Sequence, residues 1–396
     1  MDPMKVPVLK IPFDRDDARE IALEFSDMLL EGRLAMGRNV AAFEGEFKKF
    51  VGSAHACGCS SGTAALEMIF RALGDGAGPE APRGSMGSPG SVALPANTYM
   101  ATALAAIAAG YKVILVDNDP VYFQMCPDDL ARKIRPDTRA VVLVHIGGFI
   151  TPRWGEIRDL AGLNGAAFIE DAAHAHGAEI DGKTAGTLGL ASAFSFYPTK
   201  VLTTAEGGMV TTSDDKLMER LLYLRQHGQE RPGSNVHGHF GLNYRPSEIH
   251  ALLGLRMMAK ARRILDERRS LALVYDKLLS GLEIVPVLPA GGHKPAYYKY
   301  MALLPEGVDR ETVKTRLREE FEVALAGEVY AVPGHRQPLW ARHPEYLAAP
   351  LEPLPNAEDC AARQICLPIW PGLTMSQQEY VVSSLDKVLK SLKKDS

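Results

Sequence analysis

Apolar positions along the chain recur at two spacings, and the two alternate. Residues 16–31 follow the helical spacing, and Gly32 stops them. Residues 38–50 repeat it, with Val40, Phe43, Phe47 and Phe50 on one side. A short run of small residues, 54–59, then enters Ser60-Ser61-Gly62-Thr63, and a helix pattern follows from Ala64 to Leu73. Residues 74–91 are rich in Gly, Pro and Ser and predict a flexible loop. A strand pattern resumes at Val92–Pro95, a helix is expected from Thr98 to Ala109, and residues 111–117 read as a strand. The rhythm continues with a helix near 127–134, a strand at Ala140–His145, a helix near 153–163 and a strand at 166–170.

Strands alternating with helices at this rhythm predict an α/β fold, a parallel sheet covered on both faces. A further strand is expected at 207–212, followed by a helix that Ser213 caps. Residues 228–245 are a polar loop, and Pro246 is placed to open a long helix through Leu279. From about residue 283 the texture changes. Two strand-like runs, 283–289 and 297–305, precede a charged helix at 309–321, a loop of Pro, His and Trp, and a last amphipathic helix at 375–393. The pattern divides the chain into an N-terminal segment (1–34), a large domain (35–265) and a small C-terminal domain (266–396).

One stretch stands out, Ala191 to Lys200. It begins as an apolar and aromatic run suited to a buried strand, breaks at Pro198 and presents a lysine. Upstream, the apolar run 166–170 ends in Asp171. A lysine and an aspartate at the mouths of two buried strands are what a pyridoxal-phosphate site needs. The lysine amine holds the cofactor's aldehyde, and the carboxylate keeps the pyridine nitrogen protonated. Ser61-Gly62-Thr63 opens a helix, so its amides can face a phosphate; Gly62 permits close approach and Ser195 adds a hydroxyl. Tyr99 begins the next helix and is placed to stack on a ring.

Composition changes this picture little. At 396 residues, with 46% hydrophobic and 23% charged residues, the chain accommodates two domains. A formal net charge of −4 without a basic stripe argues against nucleic-acid binding. The N-terminus lacks the apolar core of a secretory signal, and the apolar window from Ala101 to Val116 is broken by Gly110 and Lys112. Five cysteines, with no Cys-x-x-Cys pair, are expected to be reduced thiols in a cytoplasmic protein, and no metal is expected.

Three local patterns compete. Gly58 to Gly62 fits the nucleophile elbow of a serine hydrolase, with Ser60 as nucleophile, but too little sheet precedes it. Gly177 to Thr184 fits a Walker A loop, but places Glu179 and Asp181 where phosphates would bind. His174 and His176 have i, i+2 spacing, which does not put two ligands on one helical face.

The sequence resembles the DegT/StrS family of pyridoxal-phosphate aminotransferases, which aminate keto sugars and cyclitols. The matching pieces are SSGTAAL (60–66), PANTYMATALAAIAAG (95–110), VHIGG (144–148), IEDAAHAHGA (169–178), FSFYPTK (194–200), EGGMVTT (206–212), LRQHG (224–228) and GLNYRPSEIHALLGL (241–255). GEVYAVPGHRQPLW (327–340) matches more loosely. The resemblance implies an aspartate-aminotransferase-type fold (fold type I), a homodimer and pyridoxal 5'-phosphate. It implies that Lys200 carries the cofactor, Asp171 contacts the ring nitrogen, Tyr99 stacks, and Gly62, Thr63 and Ser195 hold the phosphate. His174 stands at the position that touches the ring hydroxyl, where many members have Gln. Asn243 would reach the phosphate of the partner subunit, making the active sites shared. Residue 205 is Ala where Gly is common. A subgroup that replaces the lysine with His acts as dehydratases; Lys200 argues against that activity.

The implied reaction moves an amino group from glutamate or glutamine to a nucleotide-linked keto sugar or a cyclitol ketone. A neutral Lys200, its pKa lowered by burial and the nearby positive ring, would serve as general base and acid. Arg225, Arg231 and Arg245, with three histidines and one acid between 225 and 245, suit a polyhydroxyl or phosphorylated acceptor. His335 is a further candidate to face the substrate.

Overall fold

A computed structural model of the chain describes residues 4–74, 90–231 and 233–395, excluding the side chains of residues 394 and 395. Most of the Gly- and Pro-rich loop expected at 74–91 lies outside the described residues.

The N-terminal elements are α1 (Arg15–Glu31), α2 (Arg38–Val51), β1 (His55–Cys59), α3 (Gly62–Leu73), β2 (Ser91–Pro95), α4 (Met100–Ala108) and β3 (Lys112–Val116). Next come α5 (Pro127–Lys133), β4 (Thr138–Val144), α6 (Trp154–Leu163), β5 (Ala167–Asp171), a hairpin of β6 (Glu179–Ile180) and β7 (Lys183–Thr184), β8 (Ala191–Ser195), β9 (Gly208–Thr212) and α7 (Asp215–Arg225). The 32-residue α8 (Glu248–Leu279) passes through residues 265 and 266, the border drawn between the two domains. Beyond it lie β10 (Val285–Pro286), β11 (His293–Lys294), β12 (Tyr300–Leu303), α9 (Arg310–Phe321), α10 (Pro338–Arg342), α11 (Pro355–Arg363), β13 (Gln364–Leu367) and α12 (Met375–Asp395).

The seven-stranded sheet runs β1-β9-β8-β5-β4-β2-β3. Its strands pair in parallel except around β9, which is antiparallel to both β8 and β1. Side-chain alternation separates two cores. Ile169, Ala191 and Ala193 join the core that continues into the C-terminal elements, whereas Phe168, Phe194 and Phe196 join the core beneath α2 and α8.

Alternation also aims the site. Phe194 and Phe196 pack edge-on against Phe47 of α2, with ring centroids 4.9 and 5.3 Å apart. Ser195 faces the other way, onto Gly62 at the start of α3. In β5, Glu170 points to the same face as Phe168. It accepts hydrogen bonds from His145 Nε2 (2.8 Å), Ser192 Oγ (2.6 Å) and the amides of Gly186, Leu188 and Gly189. Burial alone would raise its pKa, but these donors, His145 foremost, hold it below the usual carboxylate value. Asp171, the next residue, points to the opposite face.

Two helix starts differ from expectation. Asp214, not Ser213, caps α7, its carboxylate accepting from the amide of Leu217 at 2.7 Å. Ser213 instead accepts from Ala54 and ties β9's end to the strand beside it. Pro246 stands before α8 rather than opening it, because Ser247 takes the cap by accepting from His250. Glu248, also expected only as part of a helix, caps a second one. Its buried carboxylate accepts from the amides of Gly37, Asn39 and Val40 at the start of α2.

The C-terminal part contains a three-stranded antiparallel sheet in the order β10-β12-β13, in which β13 and the preceding α11 were not expected. The segment following β10 returns to the β6–β7 hairpin, where β11 pairs with β6. All five cysteines are free thiols, as expected.

Candidate active site

The carboxyl ends of β5 and β8 open into one cavity of about 360 Å³. This is where an open α/β sheet places its ligands. The cavity is lined by Gly62, Thr63, Tyr99, Asp171, His174, Ser195 and Lys200, among others, so seven residues singled out in the sequence converge on it.

Lys200 lies five residues beyond β8, in a turn held by its amide bonding to the carbonyl of Tyr197 at 2.9 Å. Its Nζ sits 4.9 Å from the ring centroid of Tyr298. Burial pushes its pKa down; Tyr298 and Asp171 oppose the shift, and Lys299 adds to it. Asp171 Oδ2 accepts from Thr102 Oγ1 (2.8 Å), and Oδ1 accepts from the amide of Ala173 (3.2 Å). Among the described residues no cation is within ion-pair distance of it, and burial raises its proton affinity. A buried carboxylate facing a cavity without a bonded cation suits a protonated pyridine nitrogen.

The other end of the cavity suits a phosphate. Ser61 caps α3 by accepting from the amide of Ala64 at 3.1 Å, and its carbonyl accepts from Ala65. The amides of Gly62 and Thr63 are left without a protein acceptor among the described residues, at the positive end of a 12-residue helix. A Cβ on Gly62 would stand 2.7 Å from Ser195 Cβ, so only glycine lets α3 approach β8 this closely.

Tyr99 takes the cap position of α4 and is 65% exposed, its ring 5.8 Å from that of Tyr330. His174 stacks on Tyr298 at 4.2 Å, and its Nε2 is 3.3 Å from the hydroxyl of Tyr330. Burial, then the charges of Lys200 and Lys299, keep its pKa well below the ordinary value, so the ring is neutral.

Three expected residues lie elsewhere. His335 is buried against Glu358, Nε2 to Oε1 2.9 Å, and does not line the cavity, because Glu358 on α11 captures it. Arg245 and Asn243 lie outside the cavity of their own chain; Asn243 is exposed and bridges to Gln226. Sequence reasoning missed Thr102, Tyr298, Tyr330 and Glu206, all of which line the cavity. Thr102 carried a signal, a hydroxyl within the apolar turn-on-turn pattern of α4.

The competing patterns do not form sites. Ser60 is exposed, and its amide bonds to the carbonyl of Tyr244. The Walker-like run folds into the β6–β7 hairpin, with Asp181 and Gly182 at positive φ in its turn rather than at a helix start. His176 is buried among Phe47, Phe194 and Phe196. Among the described residues no group of three potential ligands could hold a metal ion.

Residues 15–386 match the DegT/DnrJ/EryC1/StrS aminotransferase family. The chain belongs to this family. It is 33% identical to GDP-perosamine synthase of Caulobacter vibrioides over 361 residues, 90% of this chain and 91% of that protein. It is 32% identical to the UDP-N-acetyl-3-dehydro-α-D-glucosamine 3-aminotransferase of Acidithiobacillus ferrooxidans, over 93% of this chain and 94% of that one. Among solved structures it resembles NtdA of Bacillus subtilis with bound cofactor PMP, at a TM-score of 0.85 and 25% identity, covering 98% of this chain and 85% of that one. This DegT-family protein is therefore an aminotransferase of fold type I that uses pyridoxal phosphate.

Proposed function

We propose that this aminotransferase transfers the amino group of glutamate or glutamine to the ketone of a nucleotide-linked sugar, in polysaccharide or natural-product biosynthesis. The observation that carries the reading is the convergence of Lys200 and Asp171 on one cavity, in a chain whose relatives include a GDP-perosamine synthase and an aminotransferase named for UDP-N-acetyl-3-dehydro-α-D-glucosamine.

Bound pyridoxal phosphate would supply an electron sink for the charge formed at the donor's α-carbon. Asp171 holds a proton on the ring nitrogen. The amides of Gly62 and Thr63, with the hydroxyl of Ser195, hold the phosphate. Tyr99 covers one ring face, and neutral His174 faces the ring hydroxyl. Lys200 would hold the cofactor through Nζ; once freed, Nζ would carry the proton between the donor's α-carbon and the cofactor's C4′ carbon, on the far side of the transferred nitrogen. Its lowered pKa keeps the amine neutral for that task. In a homodimer Asn243 would reach the phosphate in the partner's cavity, and Arg245 would meet the acceptor. The border near residue 265 divides a cofactor-binding domain from a smaller C-terminal one. We place the enzyme in the cytoplasm; no described helix is long and apolar enough to cross a membrane.

The test is a half-reaction. The purified yellow protein should lose its visible absorbance on adding glutamate or glutamine, and recover it with a nucleotide-linked keto sugar. Borohydride should trap the cofactor on the peptide containing Lys200. Colour that no amino acid discharges would sink the transaminase reading. Recovery with cyclitol ketones but no keto sugar would move the acceptor to that class.

A further inference from the structure

Lys200 is not the only amine at the Tyr298 ring. Lys299, the residue before β12, places its Nζ 5.1 Å from the same ring centroid, against 4.9 Å for Lys200. The two amines belong to different parts of the chain and meet on one tyrosine. Both sides of this contact are anchored. The amide of Lys299 bonds to the carbonyl of Gly147 at 3.2 Å, and the Tyr298 hydroxyl is 3.1 Å from Thr199 Oγ1, next to Lys200.

Lys299 is half-buried, yet its amine makes no hydrogen bond or ion pair among the described residues. The groups around it do little to cancel its charge. Glu328 is shared with Lys314 and Arg310. Cys366 is a buried thiol pushed up to about 12, hence neutral. Arg268 is a further buried cation, its guanidinium bonded only to the carbonyls of Tyr297 and Ile369. Lys200 in turn faces Asp171, His174, Tyr298, Tyr330 and Glu206 across the cavity. Of these only Asp171 and Glu206 carry acids, and Asp171 is spoken for by the cofactor nitrogen.

A surface lysine would spread its charge into water. Burial and the charge of Arg268 lower the proton affinity of Lys299 itself, against Cys366 and Glu328, yet the charge of Lys299 acts on Lys200 and not the reverse, so Lys299 is the amine that stays charged. We propose that Lys299 is a positioning residue for the transamination reaction, whose charge, delivered across the Tyr298 ring, disfavours protonation of the Lys200 nitrogen. The inference rests on Lys200 being the cofactor lysine. The directions of the shifts agree: the charge of Lys299 lowers the proton affinity of both Lys200 and His174.

The experiment is a pH titration of the holoenzyme's visible absorbance, which reports the proton on the Lys200 nitrogen. Replacing Lys299 with Gln should raise the midpoint by roughly one pH unit, the size of a unit charge at this range in a protein interior. Lys299→Arg keeps the charge and should keep the wild-type midpoint. An unchanged midpoint in Lys299→Gln overturns the proposal. So does an equal shift in Lys299→Arg, which would assign the effect to packing.

A second measurement needs no variant. In cofactor-free wild-type protein, labelling by an amine-reactive reagent, mapped by peptide against pH, should show Lys200 reacting at lower pH than Lys299. The reverse order would mean that Lys299 is uncharged while Lys200 titrates, and would overturn the proposal. A protein that never takes up colour fails the aminotransferase reading instead, so the two failures are distinct.

Discussion

The hydroxyl of Thr102 donates to Oδ2 of Asp171 across 2.8 Å in the protein interior. It joins α4, the helix that Tyr99 begins, to the end of β5. Thr98 Oγ1 stands 2.8 Å from Thr102 Oγ1, so a chain of hydroxyls one helical turn apart supports the carboxylate. Thr102→Val keeps the shape and deletes the donor. A hydrogen bond to a charged group contributes about 1.5–3 kcal/mol. The variant should therefore bind pyridoxal phosphate at least about tenfold more weakly. Equilibrium dialysis of the cofactor-free protein measures this; an unchanged Kd would remove Thr102 from the site.

Asp171 couples the cofactor to stability. Burial raises its pKa in the folded chain, against the pull of Thr102, Ala173 and Lys200. A carboxyl whose folded pKa exceeds the unfolded value favours folding in acid and loses that contribution as pH rises through the folded pKa. Asn mimics the protonated form. Cofactor-free Asp171→Asn should gain stability relative to wild type as pH rises above the ordinary carboxylate range, and the gap should close below about pH 4. Urea unfolding at several pH values gives the comparison. The same variant should retain cofactor poorly at neutral pH.

Gly62 tests the close approach of α3 to β8. Its added Cβ in Gly62→Ala meets Ser195 Cβ at 2.7 Å, a contact that must be relieved by moving backbone. Overpacking of this kind costs about 1–3 kcal/mol. A drop in the urea midpoint together with weaker phosphate binding is expected, whereas Ala substitution at Thr63, on the same helix, should spare stability.

Ala205 stands in a backbone conformation that glycine takes more readily. Its φ is 68°, in the left-handed region, and its amide bonds to Thr203 Oγ1 at 3.0 Å. That conformation costs a residue with a Cβ about 1–2 kcal/mol. Ala205→Gly should raise stability by about 1 kcal/mol, offset in part by the greater freedom of glycine in the unfolded chain. Denaturant titration decides the sign.

Much of this was legible from residue order alone. The alternation of strands and helices from residue 92 to residue 170 predicted the parallel pairing of β2, β3, β4 and β5, because a strand buried on both faces must be apolar and its crossover helix amphipathic, whereas β9 runs antiparallel to both its neighbours. Lys200, Asp171 and the Ser61-Gly62-Thr63 turn were legible because each is a polar break at the end of an apolar run. The motifs from 60 to 255 identified the family. Where polar residues competed for one job, order alone decided less well. Asp214 displaced Ser213, and Ser247 displaced Pro246, since either neighbour satisfies the local pattern and only backbone direction selects one.

What the tertiary structure decided is partnership over long sequence separations. Nothing local marks Tyr298, Lys299 or Tyr330 as neighbours of Lys200, for they lie about a hundred residues or more away and read as a strand and a loop. Nor does the sequence show that Glu358 removes His335 from the site. The sequence by itself determined which chemistry the chain carries, through residue types set at the ends of its strands. The fold decided the electrostatic setting of that chemistry, because burial and proximity exist only once the two cores have packed.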